Sequence, residues 1–283
     1  MPCPGGMGYN RLTGLAESRE KGSGFMRDGI RLIASDIDGT LLREGAAEIP
    51  LELFVHIRRL ADRGILFCPA SGRQYQSLRK LFAPVADSLP YLCENGAVVY
   101  GPGNPAPVWS KTVMDRTKAE ELSRDILAQP GAEVLISGAN TSYLCPKSPD
   151  FEGHIRWFTG NNIICVSGPE KIPEEIVKVS AYCPGILEKV RAALCPKWEA
   201  HFHAAVAGAA WLDFTLADKG LGLEMLCRAL KIRTEQVMAF GDNFNDVPML
   251  RAAGQPYIMD SAHPQLREEF PVCSQVEEIL RTL

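Results

Sequence analysis

Three short apolar segments in this chain each end in a polar turn, and this repeated feature constrains the fold most strongly. The turns hold Asp36 with Asp38, Ser71 with Gly72, and residues 242–246. Helical patterns, with apolar residues three and four apart, follow the first two. Buried strands that alternate with amphipathic helices are typical of a parallel sheet with crossover helices. We therefore predict an α/β protein whose polar turns surround one crevice, because open α/β sheets bind ligands at the carboxyl ends of their strands.

A change of pattern between residues 111 and 213 divides the chain into parts. This stretch holds helix candidates and several short strand candidates, which predicts an α+β unit inserted into the first. From Trp211 we expect the parallel pattern to resume, so residues 26–110 and 214–283 are predicted to form one core domain. Residues 1–25 are rich in glycine and lack an apolar central region, which predicts a flexible leader and excludes a secretory signal.

Composition argues against two kinds of partner. The net charge is -4 and no dense basic stretch occurs, so we expect no binding to nucleic acid. No apolar run is long enough to span a membrane. The nine cysteines form no C-x-x-C pair and lie mostly in apolar runs, which favours free thiols in a reducing cytoplasm. We expect a monomer or a small homo-oligomer.

The first polar turn carries the most specific chemistry. Side chains two apart on a strand point the same way, so the carboxylates of Asp36 and Asp38 are expected to converge. Such a pair attracts Mg²⁺, and one carboxylate can attack phosphorus while the other transfers a proton. A plain turn is the alternative, because Asp is common in turns. A calcium loop is excluded, since it needs Gly and Glu where the chain has Leu41 and Ala47.

The other turns supply candidate ligands for a phosphate group. Ser71 precedes a helix, so it is either a phosphate ligand or a plain helix cap. Lys219 lies in the first turn of a helix, where a cation opposes the macrodipole; it either neutralises phosphate or is a solvated surface lysine. Asp242 offers the metal a third carboxylate. Asp246 is expected to hold the metal's waters or to orient the lysine, and Asn245 to donate to phosphate.

Taken together, these segments resemble those of the haloacid-dehalogenase superfamily of phosphohydrolases, and specifically its Cof-type branch. In chain order, the matching segments are Asp36–Thr40, Ala70–Arg73, Glu94–Ala97, Lys219–Gly220 and Gly241–Leu250. The resemblance implies a Rossmann-like parallel-sheet core. It also implies an α+β cap domain, inserted between the Ser71 and Lys219 segments, and this agrees with the change of pattern between residues 111 and 213.

The resemblance further implies a role for each matched residue. Asp36 is the implied nucleophile, which forms an aspartyl-phosphate, and Asp38 is the implied general acid for the leaving alcohol and then the base for water. The implied ligands of the phosphoryl group are Ser71, Gly72, Lys219 and Asn245. The implied ligands of Mg²⁺ are Asp36, the backbone carbonyl of Asp38, and Asp242, with Asp246 in support.

The expected function is therefore a Mg²⁺-dependent phosphatase that hydrolyses small phosphorylated metabolites such as sugar phosphates. A phosphomutase-like phosphotransferase and a non-catalytic sensor of phosphate ligands are the alternatives. A sensor has no need for both a nucleophile and an acid, which speaks against it. In such enzymes the cap selects the substrate, and the cap sequence here gives few indications of which substrate that is. One group of cap residues lies close together in the sequence, namely Phe151, His154, Arg156 and Trp157. We expect this group either to bind a sugar phosphate or nucleotide phosphate, or to pack against the core domain.

Overall fold

The structure, a computed structural model, describes residues 29–43, 46 and 48–283. The leader predicted over residues 1–25 lies outside the described residues. Within the described residues, no helix has both the length and the apolar character needed to cross a membrane.

The helices and strands are numbered in chain order. Up to residue 111 they are β1 (Leu32–Ser35), α1 (Leu51–Asp62), β2 (Leu66–Pro69), α2 (Tyr75–Leu81), β3 (Tyr91–Cys93), β4 (Val98–Tyr100) and β5 (Val108–Lys111). The middle of the chain forms α3 (Arg116–Leu127), β6 (Glu133–Ser137), β7 (Ser142–Leu144), α4 (Phe151–Thr159), β8 (Ile163–Cys165), β9 (Lys178–Tyr182), α5 (Leu187–Trp198), β10 (His203–Ala207) and β11 (Trp211–Thr215). The last part forms α6 (Lys219–Leu230), β12 (Val237–Gly241), α7 (Val247–Ala252), β13 (Gln255–Met259), α8 (Pro264–Glu269), β14 (Val272–Cys273) and α9 (Val276–Arg281).

A parallel sheet with strand order β14-β13-β12-β1-β2 forms the core, which confirms the predicted α/β class. Strand β1, which lies between β12 and β2, is buried on both faces, as crossover helices on both sides require. Successive side chains alternate between two apolar layers. Ile33 packs in the layer with Leu53 of α1 and Leu280 of α9, while Leu32 packs in the layer with Leu226 of α6 and Leu250 of α7.

Strands β3, β4 and β5 form a small antiparallel sheet beside this core. A single parallel bridge between Ala70 and Leu92 joins it to the end of β2. The bridge brings the turn after β3, residues 94–96, next to the polar turn after β2. Two segments that are more than twenty residues apart in the sequence therefore meet at one edge of the core.

The middle of the chain forms a second sheet with strand order β10-β11-β9-β6-β7-β8, which we call the cap sheet. Helices α3 and α5 cover one of its faces, where Leu122 and Leu194 pack on Val179. Helix α4 packs on part of the other face, and the rest of that face lies over the carboxyl edge of the parallel sheet. Along β9 and β11 it presents residues that line a cavity there, namely Lys178, Ser180, Tyr182, Trp211 and Asp213.

Strand β11 corrects one sequence prediction. We expected the parallel pattern to resume from Trp211, but Trp211–Thr215 pairs antiparallel with β9 and β10 in the cap sheet. Leu212 and Phe214 are buried in the apolar core of the cap, and they alternate with Trp211 and Asp213, which line the cavity. This alternation is typical of an antiparallel strand with one face packed on a core. The boundary predicted between residues 213 and 214 falls inside this strand. We propose that the core domain resumes after Thr215.

Candidate active site

Asp36 lies immediately after β1, where its backbone N–H donates to the carbonyl of Phe240 at 2.9 Å. Asp38 lies two residues further along, in the turn that Gly39 allows with a φ of 93°. Both aspartates line the cavity beneath the cap sheet. Their surroundings differ: Asp36 is buried, whereas the Asp38 side chain is 55% exposed. One carboxylate is therefore held in a desolvated position, and the other is accessible from the cavity.

Lys219 connects two of the predicted acids. Its Nζ donates to Asp36 Oδ1 and to Asp246 Oδ1, each at 2.5 Å. The side chain is fully buried, so the alternative of a solvated surface lysine is wrong. Burial lowers the pKa of Lys219, but the charges of Asp246 and Asp36 more than offset it, and the pKa is raised. Lys219 is therefore an ammonium ion that fixes the position of the Asp36 carboxylate.

Asp246 orients that lysine and braces the turn after β12. Its Oδ1 accepts from Lys219, and its Oδ2 accepts from the backbone N–H groups of Asp242 and Asn243 at 3.0 and 3.1 Å. Both oxygens of Asp246 are thus occupied by donors. Of the two roles expected for this residue, the structure shows the contact with the lysine.

The acids at this edge can accommodate a divalent cation. One carboxylate oxygen each from Asp36, Asp242 and Asp246 lie within 4.8 Å of one another. Asp36 Oδ2 is buried and receives no hydrogen bond from any described residue. Such acceptors are the ligands that Mg²⁺ prefers. Both oxygens of Asp246 accept hydrogen bonds, whereas Asp36 Oδ2 accepts none, and the Asp38 carboxylate pairs with Arg73.

Glycine at position 39 permits this arrangement. A Cβ on Gly39 would lie 2.2 Å from Asp242 Oδ2, a distance that no real side chain tolerates. Thr40 supports the same carboxylate by donating to Asp242 Oδ1 at 3.3 Å. Burial and the nearby Asp246 raise the pKa of Asp242 to about 6. Burial also raises the pKa of Asp36 well above its ordinary value, and Lys219 offsets this only in part.

Arg73 holds the second catalytic candidate. Its Nε donates to Asp38 Oδ2 at 2.8 Å and its Nη2 to Asp38 Oδ1 at 2.6 Å, a bidentate pair. The hydrogen bonds to Asp38 raise the pKa of Arg73. The guanidinium therefore fixes the orientation of the Asp38 carboxylate at the mouth of the cavity.

The remaining candidates come from the turns after β2 and β12. Ser71 is buried, and its Oγ accepts from the backbone N–H of Arg73 at 3.2 Å. Helix α2 begins only at Tyr75 with Gln74 as its cap residue, so Ser71 is not a helix cap. Ser71, Gly72 and Asn245 line the cavity, whereas Lys219 lies behind Asp36.

The cavity has a volume of about 560 Å³, which suits a small metabolite. Of the four cap residues considered from the sequence, His154 lines it, and its Nε2 lies 3.1 Å from the hydroxyl of Tyr182. Phe151 is buried within the cap and Arg156 pairs with Glu152. Trp157 is 82% exposed, so it does not pack against the core.

Sequence reasoning assigned no role to several residues that the structure brings to the cavity. They are Arg73, Glu94, Asn95, Lys178 and Asp213. Two signals were available. Lys178 is a lone cation within an apolar strand. Glu94 and Asn95 belong to a segment that matches the haloacid-dehalogenase pattern, although no role was predicted for either residue.

Known proteins resemble this chain over most of its length. A family model described as haloacid dehalogenase-like hydrolase matches residues 33–276. A curated relative from Escherichia coli K12, 5-amino-6-(5-phospho-D-ribitylamino)uracil phosphatase YbjI, is 26% identical over 82% of this chain and 86% of its own length. An HMP-PP phosphatase from Serratia proteamaculans is also 26% identical, over 85% of this chain and 88% of its own length.

Solved structures show the same fold. A crystal structure from Eubacterium rectale has a TM-score of 0.79 and 29% identity, and covers 90% of this chain and 99% of that chain. A haloacid dehalogenase-like hydrolase from B. subtilis has a TM-score of 0.76 and 19% identity, with 90% and 100% covered. The chain therefore belongs to the haloacid dehalogenase-like hydrolases, which confirms the resemblance seen in its sequence.

Proposed function

We propose that this hydrolase is a Mg²⁺-dependent phosphatase that acts on small phosphorylated metabolites through an aspartyl-phosphate intermediate. The observation that carries the proposal is the placement of Asp36 at the cavity. It is buried, fixed by Lys219 through one oxygen, and left with a second oxygen that no described residue hydrogen-bonds. A carboxylate held in this way has one atom available for attack and for a cation.

In the proposed reaction, an Asp36 oxygen attacks the phosphorus atom and the bond from phosphorus to the leaving alcohol breaks. Asp38 donates a proton to that alcohol. Asp38 then accepts a proton from a water molecule that attacks the aspartyl-phosphate, and inorganic phosphate leaves. The bidentate contact with Arg73 keeps the Asp38 carboxylate in place for both transfers.

The phosphoryl group is proposed to lie between the polar turns after β1, β2 and β12. Ser71, Gly72 and Asn245 line this part of the cavity, and Lys219 supplies positive charge through its contact with Asp36. Mg²⁺, when bound, neutralises the charge that develops on the phosphoryl oxygens. Asp36, the backbone carbonyl of Asp38, and Asp242 would hold it, and Asp246 supports the site through Lys219.

The substrate class is proposed from the cavity and from the named relatives. One relative is named for a phosphorylated ribitylamino-uracil, which is a small phosphorylated compound. A cavity of about 560 Å³ has room for compounds of that kind. A cytoplasmic location is proposed from the cysteines, since those that the structure describes are free thiols and most are buried. We propose a monomer or a small homo-oligomer without nucleic-acid or membrane partners.

The test is release of inorganic phosphate from a panel of phosphorylated sugars, nucleotides and cofactors, with and without Mg²⁺. We expect release from at least one compound that EDTA abolishes and added Mg²⁺ restores. Conversion to an isomeric sugar phosphate without free phosphate would indicate a phosphomutase instead. Binding without turnover, by folded protein, would indicate a sensor.

A further inference from the structure

A group of buried polar residues forms the contact between the cap sheet and the core at the cavity. We call it the Lys178 cluster, and it consists of Glu94, Asn95, Lys178 and Asp213. Lys178 Nζ lies 2.5 Å from Glu94 Oε2 and 3.5 Å from Asp213 Oδ2, and it donates to the carbonyl of Gly72 at 3.0 Å. All four members of the cluster line the cavity that also contains Asp36 and Ser71. The cluster therefore lies next to the proposed phosphoryl site.

The cluster has acceptors that lack a donor. Glu94 Oε1 and Asn95 Oδ1 are buried and receive no hydrogen bond within the part of the chain that the structure describes. Glu94 as a residue is only 1% exposed. A buried carboxylate oxygen without a donor is unfavourable, so a ligand that brings hydroxyl groups is favoured there.

The backbone holds these acceptors in place at a conformational cost. Glu94 has a φ of 52° and Asn95 a φ of 55°, in the left-handed region that residues other than glycine seldom adopt. Gly96 continues the turn with a φ of 94°, and a Cβ there would lie 2.1 Å from the backbone oxygen of Asp218. Consecutive strained residues that are packed against a helix start are typical of functional sites.

Charge decides which leaving groups the cluster accepts. Glu94 and Asp213 contribute two carboxylates and Lys178 one ammonium, so the cluster carries a net negative charge. Burial lowers the pKa of Lys178, but Asp213 and Glu94 outweigh it and the pKa is raised, which keeps the lysine charged. Asp213 is held by Ser180 Oγ at 2.7 Å and by Asn95 Nδ2 at 3.2 Å. A second anion placed here would meet an excess of like charge in a desolvated setting.

We propose that the Lys178 cluster is the site for the leaving group, and that it selects neutral, hydroxyl-bearing leaving alcohols over anionic ones. This proposal rests on the proposed phosphatase function, since the phosphoryl group must lie at Asp36 for its leaving group to reach the cluster. Hydroxyl groups donate to Glu94 Oε1 and Asn95 Oδ1. A carboxylate or a second phosphate on the leaving group is repelled.

The experiment uses matched pairs of phosphate esters. Glycerol 3-phosphate is compared with 3-phosphoglycerate, and sorbitol 6-phosphate with 6-phosphogluconate. Within each pair one terminal hydroxymethyl group is replaced by a carboxylate. With Mg²⁺ present, we expect the wild-type protein to favour the neutral member of at least one pair by about tenfold or more in kcat/KM.

The decisive variant is Asp213→Asn, which removes one negative charge and keeps the shape of the side chain. It leaves Lys178 paired with Glu94, so the buried cation is not stranded. We expect the preference for the neutral ester to fall to about a tenth of its wild-type value or less. Glu94→Gln serves as the second variant and should act in the same direction. Asp62→Asn, an exposed change in α1, is the matched control and should keep the wild-type preference.

Equal kcat/KM values within each pair for the wild-type protein would overturn the proposal. The proposal would also be overturned if Asp213→Asn and Glu94→Gln lowered kcat/KM equally for both esters of a pair. The preference would then be unchanged, and the cluster would have a purely structural role. If no ester is hydrolysed, the proposed phosphatase function fails. In that case, titration calorimetry of the same ester pairs tests the proposed selectivity separately from turnover. Equal affinities for the two esters of each pair would overturn the selectivity, and tighter binding of the neutral ester would support it.

Discussion

Lys219 is a fully buried cation in the first turn of a helix, where the macrodipole opposes positive charge. Two carboxylates at 2.5 Å offset both penalties. The same contacts fix the position of Asp36, and they offset the desolvation of the buried Asp246 carboxylate. A residue that violates a local preference is therefore explained by the charges that the fold brings around it.

Arg73 provides a test at the residue scale. Arg73→Met removes both donors to Asp38, so the carboxylate loses its fixed orientation and proton transfer to the leaving alcohol becomes less effective. We expect kcat for an unactivated phosphate ester to fall by about tenfold to a hundredfold. With p-nitrophenyl phosphate, whose leaving group needs little protonation, the loss should be much smaller.

The matched control for this change is Arg251→Met, which breaks an exposed pair with Glu269 on the core. It should leave kcat unchanged for both esters. An equal loss for both esters in Arg73→Met would mean that Arg73 acts on the phosphoryl group and not through Asp38.

At the scale of elements, the turn after β1 shows how a strand end brings carboxylates together. The strand delivers Asp36, and the turn brings Thr40 to the Asp242 carboxylate that follows β12. Gly39 makes this possible because its lack of a side chain leaves room for Asp242 Oδ2. Two strands that are adjacent in the sheet thus bring together residues that are about two hundred positions apart in the sequence.

The prediction at this scale compares two glycines. Gly39→Ala and Gly64→Ala both force alanine to a positive φ, at 93° and 75°, and this backbone strain alone should cost each variant about 1–2 kcal/mol of stability. Only the first collides with a described atom, because a Cβ on Gly64 has nothing within 4 Å. We therefore expect Gly39→Ala to raise the Mg²⁺ concentration for half-maximal phosphate release by about tenfold or more. A Gly39→Ala protein with the same Mg²⁺ dependence as Gly64→Ala would contradict the role given to Asp242.

The sequence predicted those parts of the fold and site that depend on local pattern. Apolar runs that end in polar turns predicted β1, β2 and β12 and the residues after them. The contacts of Lys178 and Asp213 were not predictable, because they depend on the register of β9 against β11 in the cap sheet. The same limit explains the error at Trp211, since a short apolar segment has the same pattern in a parallel sheet and in a half-covered antiparallel one.

At the scale of the whole molecule, the cavity lies between the carboxyl edge of the parallel sheet and one face of the cap sheet. The two sides differ in chemistry. The core side presents Asp36, Asp38 and the polar turns, whereas the cap side presents Lys178, Tyr182, Trp211 and Asp213. Under the proposed function, this division separates the phosphoryl chemistry at the core from the leaving group at the cap.

The buried acids predict how stability depends on pH and on metal. The pKa of Asp242 is raised from 3.8 to about 6, so between these values the folded state binds protons more tightly than the unfolded state. Without metal, the stability that this group contributes therefore falls as pH rises through that range. Above pH about 6 the ionised Asp242 carboxylate is available to a cation, which relieves its repulsion with Asp246.

We accordingly expect saturating Mg²⁺ to raise Tm by about 5 °C at pH 8 and by much less at pH 5, where protons compete for the same oxygens. Differential scanning fluorimetry with and without EDTA measures both shifts. The Asp242→Asn variant should lose most of the shift at pH 8. A shift of equal size at both pH values would contradict this account of the acidic group.

The most direct test of the central claim is phosphate release by the Asp36→Asn variant beside the wild-type protein, with Mg²⁺ and the best ester from the panel. Asparagine fills the same space but cannot attack phosphorus, so we predict a loss of turnover of roughly four orders of magnitude or more. Circular dichroism should show an unchanged fold, and Asp62→Asn should retain full activity. Turnover by folded Asp36→Asn at a rate near that of the wild-type protein would contradict the assignment of Asp36 as the nucleophile.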